Sequence, residues 1–507
     1  MMIRAVILSI PVLATSAAVV AETQERVAAP KRTAAPAPAL MVQADDGRDH
    51  RAGQTPSGPA GLASIALPKS KAFYRVPYAD GTQVRVSRDH NLHTPKGRYD
   101  MSGRGGTKPY RIVAAAGGRI VAIEDRFSQQ QDSDTAPQCN NNYVWIAHAN
   151  GEWTKYSHMT KGSSTGKAKL KVGQTVKSGQ YLGDEGAVGC AGGDHLHFEV
   201  GAPRATAPFF TTVGGFLSDN GGSKRNRIAQ ICGVPNRLFA SGRDYDARAV
   251  PDILPSGAKE VARHGLPIRD YQCLFDQAAA ANYAPAWIDM FNVGGGTFVN
   301  AVFRPAAGQM QAFHGLTGAQ YQAQFTKWTN AGYRPVLIES YLDGGVKYAA
   351  LFRKSPGPAY SAYHGLSAQQ HQAKFDSLTA AGYRPKSISV VSSGGRIYSA
   401  IYEKAGGGGG WQAKSQLTPA EYQAAFTANA QAGRHLAYLN AYVHEGQPYL
   451  VGIWSAATPG GGKQRHGLTG AQYQSEWSSA SGAGMLTQAV TGYAAGNSAR
   501  YAASWRK

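Results

Sequence analysis

A pattern of about 50 residues recurs five times in the second half of the sequence. The tripeptide His-Gly-Leu marks four copies and Ser-Gln-Leu the remaining one, with first residues His264, His314, His364, Ser415 and His466. Two ring positions follow each tripeptide at fixed offsets: Tyr271, Tyr321, His371, Tyr422 and Tyr473, then Phe275, Phe325, Phe375, Phe426 and Trp477. Repeats of this length bury a common core only by packing against their neighbours. The sequence therefore predicts five tandem repeats over residues 251–507.

The second copy indicates the structure of one repeat. Thr317 followed three residues later by Gln320 forms a capping box, which predicts the start of a helix. Large ring side chains then recur at helical spacing: Tyr321, Phe325 and Trp328. Two β-type runs, residues 336–341 and 347–352, flank an Asp-Gly-Gly turn and predict a hairpin. Each unit is therefore predicted to be an α+β repeat with one helix and one β-hairpin.

The recurring histidine invites a catalytic or metal-binding interpretation. It stands at the same offset in four of five copies, just before the predicted helix cap. A position repeated in this way is typical of a structural residue, and we expect a structural role. Capping pairs recur in the later copies, and the first copy departs from the pattern with Pro267 and Asp270.

Residues 66–215 have a different sequence pattern from the repeats. Short runs rich in β-branched and aromatic residues, such as residues 119–123 and 195–200, are separated by glycine-rich turns, and no convincing long helix interrupts them. The sequence predicts an all-β antiparallel domain here, followed by a Gly/Arg/Asp-rich connector at residues 216–250. A chain of 507 residues exceeds one ordinary core, so a multidomain protein is expected.

The N-terminus resembles a secretory signal peptide over residues 1–21. Arg4 precedes an apolar run, and Val19-Val20-Ala21 is a plausible cleavage site. Pro11 interrupts the run, which is shorter than the ~20 residues that a membrane span needs. We therefore predict no transmembrane span and a secreted or periplasmic location. Residues 22–65 are rich in Ala and Pro, and we expect a disordered linker or a cleaved pro-segment.

The four cysteines suit an oxidising compartment. They lack the paired CxxC spacing of a structural zinc site. Four cysteines allow three pairings, and we expect disulfides between Cys139 and Cys190 and between Cys232 and Cys273.

Several histidines and one aspartate fall within the β domain. His195 and His197 belong to a β-type run, where residues i and i+2 point to the same face. His93 and Asp100 lie upstream in one segment, and His158 lies between the two groups. A catalytic zinc uses three N/O protein ligands and leaves a fourth position for water. These residues are therefore candidates for such a site.

The order of these segments resembles the lysostaphin-type (LytM, β-lytic) zinc metallopeptidases over roughly residues 75–205. The carrying motifs are a His…Asp segment, a Tyr-x-His-hydrophobic segment and a terminal His-x-His-Phe. The resemblance implies that His93, Asp100 and His197 bind one Zn²⁺ ion. It also implies that His158 and His195 form the unliganded catalytic pair.

Two departures from the family pattern bear on this assignment. Many members place the first ligand and the aspartate four residues apart, whereas His93 and Asp100 are seven apart, which resembles the β-lytic and staphylolytic branch. His90 is an alternative first ligand. The same branch carries a disulfide at places corresponding to Cys139 and Cys190, which supports that pairing. The tail resembles bacterial tandem repeats attached to secreted hydrolases.

The resemblance implies a secreted bacterial endopeptidase that hydrolyses peptide bonds in peptidoglycan stem peptides or cross-bridges, with repeats that bind or position it on a surface. Two alternatives are an inactive peptidase fold that activates another wall hydrolase, and a repeat-based adhesin or carbohydrate binder with an accessory peptidase. A net charge of +20 favours anionic envelope polymers as partners, or solubility alone, and we expect no nucleic-acid partner. Gly–Gly, D-Ala–diaminopimelate and short Gly-Ala links all remain open as the bond that is cut.

Overall fold

The computed structural model describes residues 67–93, 96–132, 136, 139–202, 226–254, 257–405, 410–456 and 462–507. The predicted signal peptide (1–21) and linker (22–65) lie outside these residues. The described chain forms two compact units: a first unit up to Gly257 with Gln272–Ala281, and a second unit of Ala258–Tyr271 with Asn282–Lys507. No helix among the described residues is long and apolar enough to cross a membrane.

The first unit is built from strands. In chain order they are β1 (Lys69–Tyr74), β2 (Gln83–Arg88), β3 (Arg98–Arg104), β4 (Arg111–Val113), β5 (Gly118–Glu124), β6 (Gln130–Gln131), β7 (Tyr143–Ala147), β8 (Trp153–Ser157), β9 (Thr175–Val176), β10 (Tyr181–Asp184), β11 (Gly189–Cys190), β12 (Leu196–Gly201), β13 (Asn226–Ile231) and β14 (Asp244–Asp246). The main sheet has the order β14-β2-β3-β12-β8-β7-β5-β9, with β13 joining β12 to β1. Its neighbours are antiparallel except for β1 and β13, so the predicted all-β antiparallel fold is confirmed.

Strand β12 lies in the middle of this sheet and is buried on both faces. Leu196, Phe198 and Val200 alternate along it and face the main apolar core, where each is 0% exposed. Burial of each such side chain contributes about 1.5–3 kcal/mol. The alternate residues, His195, His197 and Glu199, point the other way. Packing of the three apolar side chains in the core thus fixes the orientation of the strand. This orientation places the two histidines and Glu199 on the opposite face.

The segment predicted as a connector contributes to this sheet. Within residues 216–250, β13 pairs with β1 and β12, and β14 pairs with β2. The apolar residues Ala229 and Ile231 of β13 are buried in the core. Gly- and Arg-rich neighbours concealed these short strands in the sequence.

The second unit contains the five repeats, each ordered strand, helix, strand, strand. Their elements are β15 (Val261–Pro267), α1 (Ile268–Ala280), β16 (Tyr283–Val293) and β17 (Gly296–Pro305); β18 (Met310–Leu316), α2 (Gly318–Asn330), β19 (Arg334–Leu342) and β20 (Val346–Arg353); β21 (Tyr360–Ser367), α3 (Ala368–Ala380), β22 (Tyr383–Ser392) and β23 (Arg396–Lys404); β24 (Trp411–Leu417), α4 (Pro419–Gln431), β25 (Arg434–His444) and β26 (Gln447–Ala456); β27 (Gly462–Leu468), α5 (Gly470–Gly482), β28 (Leu486–Ala495) and β29 (Ser498–Arg506). The helix and hairpin of each repeat are therefore confirmed. The C-terminal part of α1 belongs to the first unit.

Each repeat also has a strand that the sequence analysis did not predict. This first strand carries the marker tripeptide and pairs with the last strand, which lies in the middle of a three-stranded sheet. The helices after the first begin at capping boxes, at Thr317, Ser367, Thr418 and Thr469. The cap therefore stands directly at the end of the first strand.

The repeats close into a ring. Strands β16, β19, β22, β25 and β28 contact one another in this order, and β28 contacts β16. The marker histidine of one repeat packs against the tyrosine of the preceding helix, with ring centroids 4.7 Å apart for His364 and Tyr321. His264 of the first repeat packs against Tyr473 of the last at 4.5 Å. The recurring histidine therefore has a structural contact at each of these junctions.

Five equivalent polar residues meet where the inner strands converge: Asp289, Glu339, Ser389, Asn440 and Thr491, each at most 2% exposed. Thr491 Oγ1 donates to Asp289 (2.7 Å), and Asn440 Nδ2 donates to Glu339 (3.0 Å). Burial raises the pKa of Asp289 to about 7. Burial and the nearby Asp289 carboxylate raise the pKa of Glu339 well above its usual value. Tyr438 is a further titratable group beside this cluster, and its pKa is also raised, by burial first and then by both acids.

The second unit is expected to lose stability as the pH rises. Free Asp and Glu titrate near 4, so the folded ring holds protons that the unfolded chain has released. Stability is full below the unfolded pKa and falls as the pH rises through the folded pKa, about 7 for Asp289. Glu339→Gln removes one acid and should reduce the fall in Tm between about pH 5 and pH 9. Calorimetry of the full chain at several pH values measures Tm, and Glu445→Gln, at an exposed glutamate, is the control. If Tm falls with pH as steeply in Glu339→Gln as in the wild type, the buried acids do not cause the fall.

Candidate metal centre

Three adjacent strands bring the candidate residues together. In the register of the sheet, His197 of β12 stands opposite Asp100 of β3 on one side and Ser157 of β8 on the other. His158 directly follows Ser157, and His195 precedes His197 by two residues on the same face. Strand pairing alone therefore places four of the five predicted residues side by side.

The fifth residue, His93, comes from the loop between β2 and β3. Its backbone N–H donates to Asp89 O (3.0 Å), and its side chain is 1% exposed. Its ring lies 4.9 Å from the ring of His197, centroid to centroid. His93, Asp100 and His197 each offer one ligand atom, and these atoms lie within 4.8 Å of one another.

The two distances from Asp100 to the histidine ligand atoms fit a tetrahedral zinc ion. Asp100 Oδ1 lies 3.5 Å from His93 Nε2 and 3.2 Å from His197 Nδ1. With zinc–ligand bonds of about 2.0–2.1 Å, neighbouring ligand atoms of a tetrahedron lie about 3.3–3.4 Å apart. Two nitrogens and one carboxylate oxygen also match the donor set of catalytic zinc sites. The residues present therefore fit the ion.

The aspartate is held in its ionised form, which a metal ligand requires. Burial acts to raise the pKa of Asp100, but the neighbouring His93 and the hydrogen bond with His197 outweigh burial and hold the pKa well below its usual range. The second carboxylate oxygen, Oδ2, faces Arg88 Nη1 at 3.6 Å.

His158 and His195 form a second pair beside this triad, with ring centroids 4.6 Å apart. Nδ1 of His158 lies 2.8 Å from Val188 O, and Nδ1 of His195 lies 2.8 Å from Gly193 O. Because a carbonyl only accepts, each Nδ1 carries the proton, and in the neutral ring Nε2 then presents a lone pair. His158 Nε2 is buried without a hydrogen-bond partner among the described residues. Burial, and then the nearby His195 and His197, lower the pKa of His158 well below its usual value.

His158 also adopts an uncommon backbone conformation, with φ of 67°. Non-glycine residues in the left-handed region cluster at functional sites, where the surrounding structure maintains the strain. Here the backbone N–H of His158 is held by Asn142 O (3.1 Å) and Asn141 Oδ1 (3.0 Å).

Sequence reasoning missed a buried ionic cluster behind the triad. Glu199 Oε1 lies 3.4 Å from His197 Nε2 and 3.2 Å from Lys155 Nζ, and Glu199 Oε2 lies 3.3 Å from Arg98 Nε. Burial acts to raise the pKa of Glu199, but Lys155 and Arg98 lower it far below its usual value. The strand period offered a signal, because Glu199 is two residues beyond His197 and shares its face.

The alternative ligand His90 and two further polar residues of this unit, His148 and Asp194, lie outside the triad. His90 is not part of the triad and packs against Tyr99, with ring centroids 6.0 Å apart. His148 bonds to Gly117 O and Thr154 Oγ1, and burial lowers its pKa to about 4. Asp194 is exposed and pairs with Lys108 at 3.0 Å.

Both expected disulfides are present, Cys139–Cys190 and Cys232–Cys273, with Cα atoms 5.3 and 5.6 Å apart. Cys190 ends β11, which pairs with β6. The segment on either side of this strand contains the carbonyls of Val188 and Gly193, which bond to the two unliganded histidines. The first disulfide therefore anchors the segment that orients this pair.

The buried His-Asp-His triad and the two further histidines, brought together by three adjacent antiparallel strands and one loop, form a candidate metal centre. Residues 96–207 match the model of peptidase family M23, and this match begins just after His93. Residues 257–306, 307–355, 357–405, 408–457 and 460–507 match the polyglycine hydrolase-like structural repeat. The chain therefore contains a family M23 peptidase domain and five such repeats.

Known relatives share only part of the chain. The peptidoglycan DD-endopeptidase ShyC of Vibrio cholerae is 34% identical over 132 residues, which cover 25% of this chain and 27% of that protein. ShyA of the same species, also a peptidoglycan DD-endopeptidase, is 37% identical over 79 residues, 14% of this chain and 17% of its own length. The catalytic domain of lysostaphin from Staphylococcus simulans aligns at 20% identity and a TM-score of 0.16, covering 29% of this chain and 84% of that domain. The chain thus spans less than a third of the length of ShyC and of ShyA.

Proposed function

We propose that the chain is a zinc-dependent endopeptidase that hydrolyses peptide bonds in peptidoglycan stem peptides or cross-bridges. The observation that carries the proposal is the buried triad of His93, Asp100 and His197, whose ligand atoms lie within 4.8 Å of one another beside a second histidine pair. The M23 match and the DD-endopeptidase names of the relatives support the substrate class. One Zn²⁺ ion per chain is proposed, with His93 rather than His90 as the first ligand.

The chemistry divides between the triad and the histidine pair. Zinc, when bound by His93, Asp100 and His197, would polarise the scissile carbonyl and lower the pKa of water at the site towards ~7. His158 and His195 present lone pairs at Nε2, because each Nδ1–H is committed to a backbone carbonyl. One of them accepts the proton of the attacking water and passes it to the leaving amine. The other, once protonated, donates to the developing oxyanion.

We propose export to the periplasm or the medium, with residues 1–21 as a signal peptide. Two disulfides suit an oxidising compartment. The repeat ring is proposed to bind or position the enzyme on a surface, and anionic envelope polymers are the proposed partners because the chain carries a net charge of +20.

Purified peptidoglycan should lose turbidity when treated with the mature protein. A zinc chelator should block this loss and added zinc should restore it, because the triad supplies the only three protein ligands proposed for the metal. Mass spectrometry of the released fragments then names the bond. Turbidity that stays constant with stoichiometric zinc would point to a substrate outside the wall; constant turbidity without zinc would favour the inactive activator.

A further inference from the structure

The segment between β10 and β11, residues 185–188, holds both unliganded histidines by its backbone. Val188 O accepts from His158 Nδ1 (2.8 Å), and His195 N donates to Gly186 O (3.0 Å). The position of this segment therefore decides where the two imidazole rings lie. A contact that ties the segment to the rest of the sheet also acts on the histidine pair.

Glu185 ties this segment to β3. Its oxygen Oε2 accepts from Gly103 N (2.9 Å) and lies 2.5 Å from Tyr78 Oη. Tyr78 Oη also lies 2.8 Å from Met101 O, a backbone carbonyl of β3. The side chain of Tyr78 is 0% exposed, so these protein contacts decide where its proton lies.

The hydroxyl of Tyr78 has one proton for two neighbouring oxygens. Burial raises the pKa of Tyr78 well above its usual value, so this proton stays on Oη. Met101 O can only accept, so its contact with Tyr78 uses that proton. The contact between Tyr78 and Glu185 then requires a second proton, carried by Glu185. An ionised Glu185 would leave one of the two oxygens in contact with Tyr78 Oη with no proton between them.

Burial favours the same protonated form. Glu185 is 6% exposed, and burial raises the pKa of its carboxyl. The contacts with Tyr78 and Gly103 and the nearby His195 act in the opposite direction, but burial outweighs them. The negative charge of Asp194 acts in the same direction as burial.

Two lysines, Lys108 and Lys161, line the cavity that Glu185 also lines. Both are exposed, and Lys108 interacts with Glu185 but pairs with Asp194 at 3.0 Å. Exposed ammonium groups are screened by water and contribute little to holding a carboxyl group in its ionised form. The cavity gives Glu185 a route for exchanging its proton with solvent.

We propose that Glu185 is a neutral carboxylic acid in the active enzyme and that, by donating to Tyr78, it holds the 185–188 segment against β3 and so positions His158 and His195. The inference rests on the proposed endopeptidase function and adds a positioning residue to it. Loss of the proton, which passes to solvent, would place two acceptor oxygens against each other and release the segment. The histidine pair would then lose its alignment as the pH rises.

Infrared spectroscopy of the full chain reads the protonation state of Glu185 without any hydrolysis. An ordinary glutamate titrates near ~4.3, so at neutral pH only an unusual one shows the carbonyl band of a protonated carboxyl group. The difference between wild type and Glu185→Gln at about pH 7 should contain one such band. Other buried acids, such as Asp289, cancel because both proteins contain them. Glu421→Gln is the control: hydrogen bonds with Thr418 lower the pKa of Glu421, so its removal should leave the band unchanged.

Kinetics test the positioning role. Glu185→Ala removes the tie to β3 and should lower kcat about 10–100-fold with little change in KM, because small displacements of catalytic groups have effects of this size. Glu185→Gln keeps a neutral donor of the same shape and should recover about 10-fold or more of that loss. It should also stay active to higher pH than the wild type, because its amide has no proton to lose on the alkaline side. If Glu185→Ala does not fold, Tyr78→Phe removes the acceptor of the same contact and should lower kcat similarly.

The outcomes separate this inference from the proposed function. Absence of the band in the wild-type spectrum, or equal alkaline limits in wild type and Glu185→Gln, would overturn the inference while leaving the endopeptidase intact. A raised KM with unchanged kcat in Glu185→Ala would show that Glu185 contacts substrate, which also overturns the positioning role. The band without hydrolysis of any peptidoglycan would instead overturn the proposed function, and the protonated state of Glu185 would stand.

Discussion

His197→Ala is expected to abolish zinc binding and to reduce hydrolysis to background, whereas His195→Ala should retain zinc and lose about 10²–10⁴-fold in rate. The two residues are neighbours on one strand face, but their nitrogen atoms face different partners. His197 Nδ1 lies 3.2 Å from Asp100 Oδ1 within the triad. His195 uses Nδ1 to donate to Gly193 O and directs Nε2 to the site. Removing one of three ligands therefore affects the metal, and removing the second histidine affects proton transfer.

Zinc content after dialysis, measured together with peptide hydrolysis, tests this division of roles. His90→Ala is the matched control for the loop ligand, since His90 packs against Tyr99 outside the triad. It should retain zinc, and His93→Ala should lose it. Equal zinc loss in His195→Ala and His197→Ala would show that the assignment is wrong. Zinc loss in His90→Ala but not in His93→Ala would show that His90, and not His93, is the first ligand.

The repeats were predictable from sequence because their signals are local. A capping box at Thr317 and ring residues at helical spacing lie within a few residues of each other. Ring closure was not predictable, because His264 and Tyr473 meet across most of the array and no local pattern specifies that contact. The first strand of each repeat was missed because its sequence is short and, in four of the five repeats, includes a glycine with positive φ, such as Gly315 at 72°.

The two-residue period of a β-strand made part of the site predictable from the sequence. His195 and His197 share a face at spacing two, and their pairing with the upstream His and Asp followed from the family resemblance. The ionic cluster was hidden because a glutamate in a strand is ordinarily exposed. Only the order β3-β12-β8 brings Arg98 and Lys155 to either side of Glu199.

Glu199→Gln is expected to weaken zinc binding about 10–100-fold, because carboxylates that hold a ligand histidine by its second nitrogen orient the ring and raise its basicity. Glu199 Oε1 lies 3.4 Å from His197 Nε2, while His197 Nδ1 faces the triad. The same substitution leaves Arg98 and Lys155, both 0% exposed at their side chains, without their carboxylate. Removing one partner of a buried ion pair costs about 3–5 kcal/mol, so the Tm of the first unit should also fall.

Glu152→Gln separates the two effects. Glu152 is 0% exposed in the turn between β7 and β8 and accepts hydrogen bonds from Tyr74 Oη and from the backbone N–H of Lys71, away from the triad. It should lower the Tm while leaving zinc affinity unchanged. Zinc affinity from competition with a chromophoric chelator, measured at a temperature where both variants are folded, distinguishes them. Wild-type affinity in Glu199→Gln would restrict Glu199 to balancing the buried cations, whereas weakened affinity in Glu199→Gln alone would assign it to the positioning of His197.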